Sequence, residues 1–194
     1  GVTRIGRYAF SECNDLVDIT IPVSLNEIGS GAFYLCIKLT GIVIPDNVIN
    51  IGEKTFYRCF ELKSITISCN LKEIGDFAFS GCRNLTSVEI PAGLTKIGAG
   101  SFNDCEGLKI IFNKSSLPLT AGSSDYGYIA YYAERVCTPE EYCAEFGHTY
   151  VRGVCSVCGA EKECEFVEID GKLYSHLDGV FQHGWLKHAG KTYY

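Results

Sequence analysis

The chain has 194 residues, of which 46% are hydrophobic and 21% charged, so it can bury a core and suffices for one ordinary domain plus something small. A net charge of −6 argues against a general affinity for nucleic acid or for an anionic membrane surface, and no run of about 18 apolar residues is present to span a bilayer. The chain starts at Gly1 and contains no Met, so it reads as a fragment or a processed form from which any export signal has been removed.

From the first residues onward the chain repeats itself. Ile5-Gly6, Ile28-Gly29, Ile51-Gly52, Ile74-Gly75 and Ile97-Gly98 recur at a spacing of 23 residues. Each is followed in register by a Phe (Phe10, Phe33, Phe56, Phe79, Phe102), a Cys (Cys13, Cys36, Cys59, Cys82, Cys105) and a Leu (Leu16, Leu39, Leu62, Leu85, Leu108). The first four units continue with alternating aliphatics, as in Ile19/Ile21 and Ile42/Ile44, and three of them close on Pro22, Pro45 or Pro91. A fixed period in this range is the signature of a solenoid with one short coil per repeat. The L-x-x-I-x-I stretch alternates with period two and suits a short strand with one buried face, ended where proline removes an amide donor. The I-G-x-x-A-F stretch spaces its apolar residues as a short helix or a turn. One coil cannot bury its apolar face, but stacked coils set each column against its own kind. The Cys column fits small apolar thiols filling a tight inner corner. A disulfide ladder is the rival reading, disfavoured because stacked Cβ vectors run parallel instead of converging.

The pattern I-G-x-x-A-F-x-x-C-x-x-L-x-x-I-x-I-P, running from about Gly1 to Phe112, resembles the leucine-rich repeat family in the 23-residue subtype of BspA-like bacterial surface proteins. Thr55 and Ser101 depart from it in place of the small Ala, and Ser68-Cys69 in place of the proline turn. Gly1-Val2 falls late in a preceding unit, which suggests a longer array upstream. The resemblance implies a right-handed α/β solenoid of short parallel strands and short helices or turns. It also implies a secreted or surface-displayed protein used for adhesion or protein binding. In such a fold the strand residues between the buried ones form an outward, concave face. Here they are Asp18, Thr20, Gly41, Val43, Ser64, Thr66, Ser87 and Glu89, with Ile110 and Phe112 near the end. They are small and lightly charged, and read either as a solvated surface or as a shallow contact face for an unidentified host or bacterial surface protein or glycan.

After Asn113 the period breaks. NKSSLPLTAGSSD reads as loop, and GYIAYYAERV as a last turn that caps the open end of the solenoid. Tyr126, Tyr128, Tyr131 and Tyr132 are expected in that cap, with a carbohydrate-stacking patch as the alternative. The array with its cap spans residues 1–136.

Residues 137–165 form a Cys/His-rich linker. Cys143, His148, Cys155 and Cys158 give C-x4-H-x6-C-x2-C, four ligands for a structural zinc, which takes thiolate and imidazole tetrahedrally. So little apolar residue is present there that a metal or a bridge would be needed to order it. Zinc, disulfides that include the flanking Cys137 and Cys164, and a reduced unstructured linker all remain open. Redox catalysis by C-x-x-C would want a βαβ setting that the chain lacks. The phrase also resembles short Cys/His inserts of clostridial surface proteins, which implies a spacer.

Residues 166–194 carry D-G-K-L-Y, D-G-V, G-W-L-K and G-K-T-Y-Y, glycine turns between short aromatic strands that suit hairpins. The stretch from Gly184 to Tyr194 resembles the cell-wall-binding repeat family that includes choline-binding modules. That resemblance implies that Tyr174, Trp185, Tyr193 and Tyr194 meet a wall polymer or choline, held by cation–π attraction when several rings face one spot. Only one full repeat and a piece are present, so plain hairpin packing of these rings is the alternative. His176, His183 and His188 read as exposed loop residues. No nucleophile elbow, zinc-protease helix or paired-carboxylate context is visible, so the chain is expected not to be an enzyme. The leading expectation is a wall-attached surface binding protein. An accessory fragment of a larger surface enzyme and a structural spacer are the alternatives.

Overall fold

The computed structural model describes residues 1–138 and 141 and, as backbone alone, seven short strands between residues 150 and 193. The chain divides into two compact units, Gly1–Thr138 and Pro139–Tyr194.

The first unit is a solenoid of parallel strands with about six turns. Two strand systems run along it. One is a five-stranded parallel sheet with one two-residue strand per coil: β1 (Arg4–Ile5), β2 (Glu27–Ile28), β4 (Asn50–Ile51), β6 (Glu73–Ile74) and β8 (Lys96–Ile97). The other is made by the L-x-x-I-x-I stretches: β3 (Gly41–Val43) pairs with β5 (Ser64–Thr66), and β7 (Ser87–Ile90) with β9 (Ile110–Asn113) and β10 (Arg135–Cys137). Every pair in both systems is parallel, and all but β9 with β10 keep the 23-residue register, as in Ile42↔Ile65 and Val88↔Ile111. The first of these stretches, around Asp18 and Thr20, forms no ladder. Its Val17 carbonyl accepts the Thr40 amide at 2.9 Å and the Thr40 hydroxyl at 3.2 Å.

The Ile-Gly-x-x-Ala-Phe segment is a string of turns and not a helix. Along Gly31–Cys36 the amides alternate in destination. Those of Ala32, Tyr34 and Cys36 close on carbonyls three residues back, while those of Gly31, Phe33 and Leu35 reach Glu53, Thr55 and Tyr57 of the next coil. An α-helix would spend every amide within its own coil, whereas here half of them bind the coils together. Two left-handed positions per coil enforce the alternation. Tyr8, Gly31, Lys54, Phe77 and Gly100 form one column with φ between 53° and 64°, and Glu12, Leu35, Arg58, Gly81 and Asp104 a second. Most are not glycine, so the local cost of that conformation is offset by the inter-coil bonds it permits.

Inside, the columns stack as the period requires. Phe33, Phe56, Phe79 and Phe102 are wholly buried. Their rings, with Phe10, lie 5.1–5.4 Å apart and near parallel over the first three steps, at 2–7°. The Cys column is made of free thiols. Each of Cys36, Cys59, Cys82 and Cys105 donates its S–H to the carbonyl of the preceding coil's Phe at 3.0–3.2 Å. The departures at Thr55 and Ser101 also find a reason: the Thr55 hydroxyl donates to the Gly52 carbonyl at 2.9 Å, and Ser101 to the Gly75 carbonyl at 3.0 Å. Both hydroxyls are buried and satisfied.

The glycine of each Ile-Gly pair sits where adjacent coils nearly touch. A Cβ on Gly75 would lie 2.7 Å from the Glu53 amide nitrogen and 2.7 Å from the Gly52 carbonyl carbon. On Gly6, in the first coil, it would meet nothing within 4 Å. Gly75→Ala is therefore expected to cost about 1–3 kcal/mol by forcing coils apart, while Gly6→Ala leaves urea unfolding of the full chain almost unchanged.

The last coil is two residues longer than the rest, with Arg135 rather than residue 133 opposite Ile110. Its α1 (Asp125–Tyr128) is a single distorted turn with left-handed values at Tyr126 and Gly127. The Gly127 carbonyl accepts the Phe102 amide at 2.8 Å and so continues the inter-coil series. Aliphatic side chains do most of the sealing at this end. Ile129, Ala130 and Ala133 are buried, with Leu117, Leu119, Tyr126 and Val136 packed beside them. Of the expected tyrosines, Tyr126 packs against the core, while Tyr128 and Tyr131 stay exposed and pack edge-to-face, Tyr128 on Tyr131 and Tyr131 on Tyr132.

The second unit contains antiparallel pairs: β11 (Tyr150–Val151) with β12 (Val154–Cys155), β13 (Glu165–Ile169) with β14 (Lys172–Leu177), β14 with β15 (Val180–Phe181), and β16 (Leu186–His188) with β17 (Lys191–Tyr193).

Candidate functional site

The strand residues that alternate with the buried aliphatics form two rows. Gly41 lies beside Ser64, and Val43 beside Thr66. Further along, Ser87, Ile110 and Arg135 share a row, as do Glu89, Phe112 and Cys137. The alternation follows from the two-residue period of a strand: Ile42, Ile65, Val88 and Ile111 point into the core, so their neighbours point out. Asp18, Thr20, Val43, Ser64, Thr66 and Glu89 are exposed, and Ser87 is half-buried. Val43 is the large apolar member, 61% exposed. The face is not one continuous ladder, because β5 and β7 belong to separate sheets. It offers a small-residue part around Val43 and Thr66, and a second part around Glu89, whose carboxylate is paired with Lys114 at 3.0 Å. Cys137 closes that row with a buried side chain.

Nothing in this face is arranged as a nucleophile. The thiols of the array are the most reactive side chains by type, but burial pushes Cys36 up to about 11 and Cys105 up to about 12, and Cys59 and Cys82 are raised as well. A thiol that stays protonated is neither a nucleophile nor a metal ligand. Of the expected zinc ligands, Cys143, His148 and Cys158 lie outside the described residues, and Cys155 is described only as backbone of β12. Trp185 and Tyr194 also lie outside them, while Tyr174 and Tyr193 are placed as backbone in β14 and β17.

Sequence reasoning missed a second surface, on the turn side of the coils. Tyr34 stacks on Tyr57 at 5.2 Å, and Tyr8 stands edge-on to Tyr34 at 6.1 Å. Arg58 lies over the Tyr57 ring at 5.3 Å and Lys54 over Phe77 at 5.9 Å. Tyr8 and Phe77 are exposed, each leaning on the glycine of the next coil: a Cβ on Gly31 or Gly100 would collide with the ring. The available signal was the same 23-residue register, which puts Tyr8 and Phe77 in one column and Tyr34 and Tyr57 in another. Beside this strip, between the first three coils, runs an open groove of about 370 Å³ along β1, β2 and β4.

Stacked short coils closed by parallel strands and an atypical last coil define a solenoid repeat protein, a class whose members present surfaces instead of enclosing active sites. The chain belongs to the BspA-type leucine-rich repeat family, whose pattern matches six copies over residues 1–117. No curated protein sequence matches. Among solved structures, a leucine-rich repeat protein from Bacteroides ovatus is 44% identical over 60% of this chain and 29% of its own, with a TM-score of 0.56. A leucine rich cell surface protein from Faecalibacterium prausnitzii is 37% identical over 59% of this chain and 30% of its own, with a TM-score of 0.57. The T. pallidum leucine-rich repeat protein is 30% identical over 71% of this chain and 66% of its own, with a TM-score of 0.58. The chain thus spans only about three tenths of the first two. The family and these neighbours are leucine-rich repeat proteins, a generally non-catalytic group. Among the described residues no helix is long and apolar enough to cross a membrane.

Proposed function

We propose that this chain is the recognition part of a bacterial surface protein, non-catalytic, which binds a protein or glycan partner through the outward strand face and attaches to the cell wall through residues 166–194. The observation that carries the reading is the division of labour within each coil. The aliphatic side chains Ile42, Ile65 and Val88 of the strand stretch are spent on the core, leaving a mostly exposed sheet face of Val43, Ser64, Thr66, Ser87 and Glu89. The family match, and the description of the Faecalibacterium neighbour as a cell surface protein, favour display outside the cell. The aromatic tail supplies the attachment in this reading, and Cys143, His148, Cys155 and Cys158 order the segment before it around a structural zinc. Metal analysis of purified chain checks that last step, with zinc expected and its loss expected in Cys155→Ala.

Co-sedimentation with purified bacterial cell walls tests the attachment. The full chain is expected to sediment and the Trp185→Ala/Tyr193→Ala double variant to stay in solution. A Thr66→Arg variant, altered only on the strand face, is expected to sediment like the parent. Loss of sedimentation in Thr66→Arg with none in the double variant would move wall recognition to the solenoid and overturn the assignment of the tail.

A further inference from the structure

The groove across the first three coils includes several side chains that the fold leaves unused. Its floor is short and close: Gly29, Gly52 and Ser30, with Ile28 buried beneath. Its walls carry two guanidinium groups, Arg4 and Arg7, against one carboxylate, Glu27. Glu27 already holds Arg4, with nitrogen and oxygen 3.0 Å apart. Arg7 has no such partner among the described residues and supplies a net positive charge on a chain whose total is −6.

The carboxamides make the same point by contrast. Asn47 and Asn70, in another column, donate their side-chain N–H groups to carbonyls of the preceding coil at 2.9 and 3.0 Å, and so act in stacking. Asn26 and Asn50, in the groove wall, have no side-chain hydrogen bond among the described residues, and neither does the Ser30 hydroxyl. Ile49, 51% exposed, gives one apolar patch in the wall.

We propose that this groove is a binding site for a carboxylate-bearing saccharide. Arg7 offers a planar fork that suits a carboxylate in bidentate geometry. Asn26, Asn50 and Ser30 present donors and acceptors in alternation, which suits ring hydroxyls that both give and take hydrogen bonds. Ile49 offers an apolar contact for the carbon–hydrogen side of a ring. The volume falls within the range of small-ligand clefts, about 300–1,000 Å³. An acidic peptide would also use the guanidinium, with β1, the edge of the sheet, open to its backbone, and hexaglutamate is the control that separates the two. The site lies on the β1–β2–β4 sheet and does not rest on the strand face or the tail, so its failure would leave the proposed function standing.

The test is calorimetric titration of the full chain with trigalacturonate and with sialyllactose, with neutral galactotriose and a hexaglutamate peptide as controls. At least one of the acidic saccharides is expected to bind, and the controls much more weakly. Arg7→Gln should weaken that binding about tenfold, the loss expected for a charge-assisted pair. Asn50→Ala should weaken it by less, and Lys96→Gln, on the same sheet beyond the groove, not at all. Arg7 and Asn50 are exposed, so both variants should keep the circular dichroism of the parent. Three results would overturn the proposal: no binding of either acidic saccharide, equal affinity for hexaglutamate, or binding that Arg7→Gln leaves unchanged.

Discussion

Phe56→Ala is expected to lower the unfolding free energy by about 3–5 kcal/mol, the range for emptying a packed aromatic site. Phe10→Ala should cost clearly less. Phe56 is wholly buried and stacks on both sides, 5.4 Å from Phe33 and 5.3 Å from Phe79, with the rings within 7° of parallel. Phe10 is only partly buried and stacks on one side, on Phe33 at 5.3 Å. Transfer of the ring from water accounts for most of the difference, and each aromatic contact adds about 0.5–1.5 kcal/mol.

Position in the column matters beyond burial. Each coil touches only its neighbours, so stability is close to a sum of coil terms and interface terms. Loss of Phe56 weakens two interfaces in the middle of the array, where the strand system is already interrupted between β5 and β7. Urea unfolding of the full chain, followed by circular dichroism, should then show a lower midpoint and a shallower or split transition. A single transition of unchanged slope, with a loss no larger than that of Phe10→Ala, would show that the column does not couple the coils.

What could be read from the chain is what recurs at the period. Five columns at a 23-residue spacing carry the solenoid, the buried Phe, Cys and Leu positions and the outward alternation of the strands. What could not be read lies in the backbone. Nothing about Tyr8, Lys54 or Phe77 announces a left-handed residue, a conformation common for glycine and uncommon for large side chains. The helix-or-turn ambiguity of Ile-Gly-x-x-Ala-Phe is settled by hydrogen bonds to the next coil, which no local pattern encodes. The sheet β1–β2–β4–β6–β8 was hidden for a related reason. Two-residue strands such as Glu73–Ile74 are too short for an alternation to register, and exist because five of them stack. The groove was missed because its members, Arg7, Asn26, Ser30 and Asn50, come from three coils and are ordinary surface residues in each.

The thiol column sets a limit on stability at high pH. Cys105 is pushed up to about 12 and Cys36 to about 11 from an ordinary 9.0, with Cys59 and Cys82 raised too, chiefly because burial penalises the thiolate. In the unfolded chain these thiols lose their protons near pH 9, while the folded chain retains them. Their contribution is therefore complete below about pH 9 and falls as pH rises toward the folded values, by roughly 1.4 kcal/mol per pH unit for each thiol. The four thiols shift in the same direction, so their losses add as the pH rises from 9 toward 11. Cooperative loss of the circular dichroism signal is thus expected in that interval, with a slope that Cys82→Ala reduces by about one proton. That substitution strands no partner, because the Phe56 carbonyl that accepts the Cys82 thiol also accepts the Cys59 amide at 3.3 Å. At pH 8 a thiol reagent should reach the exposed Cys13 and Cys69 and spare the buried ones until the chain unfolds. A signal that stays flat to pH 11, or a slope unaltered by Cys82→Ala, would mean that the solenoid opens around its thiols without unfolding, and that the Phe column alone holds the coils.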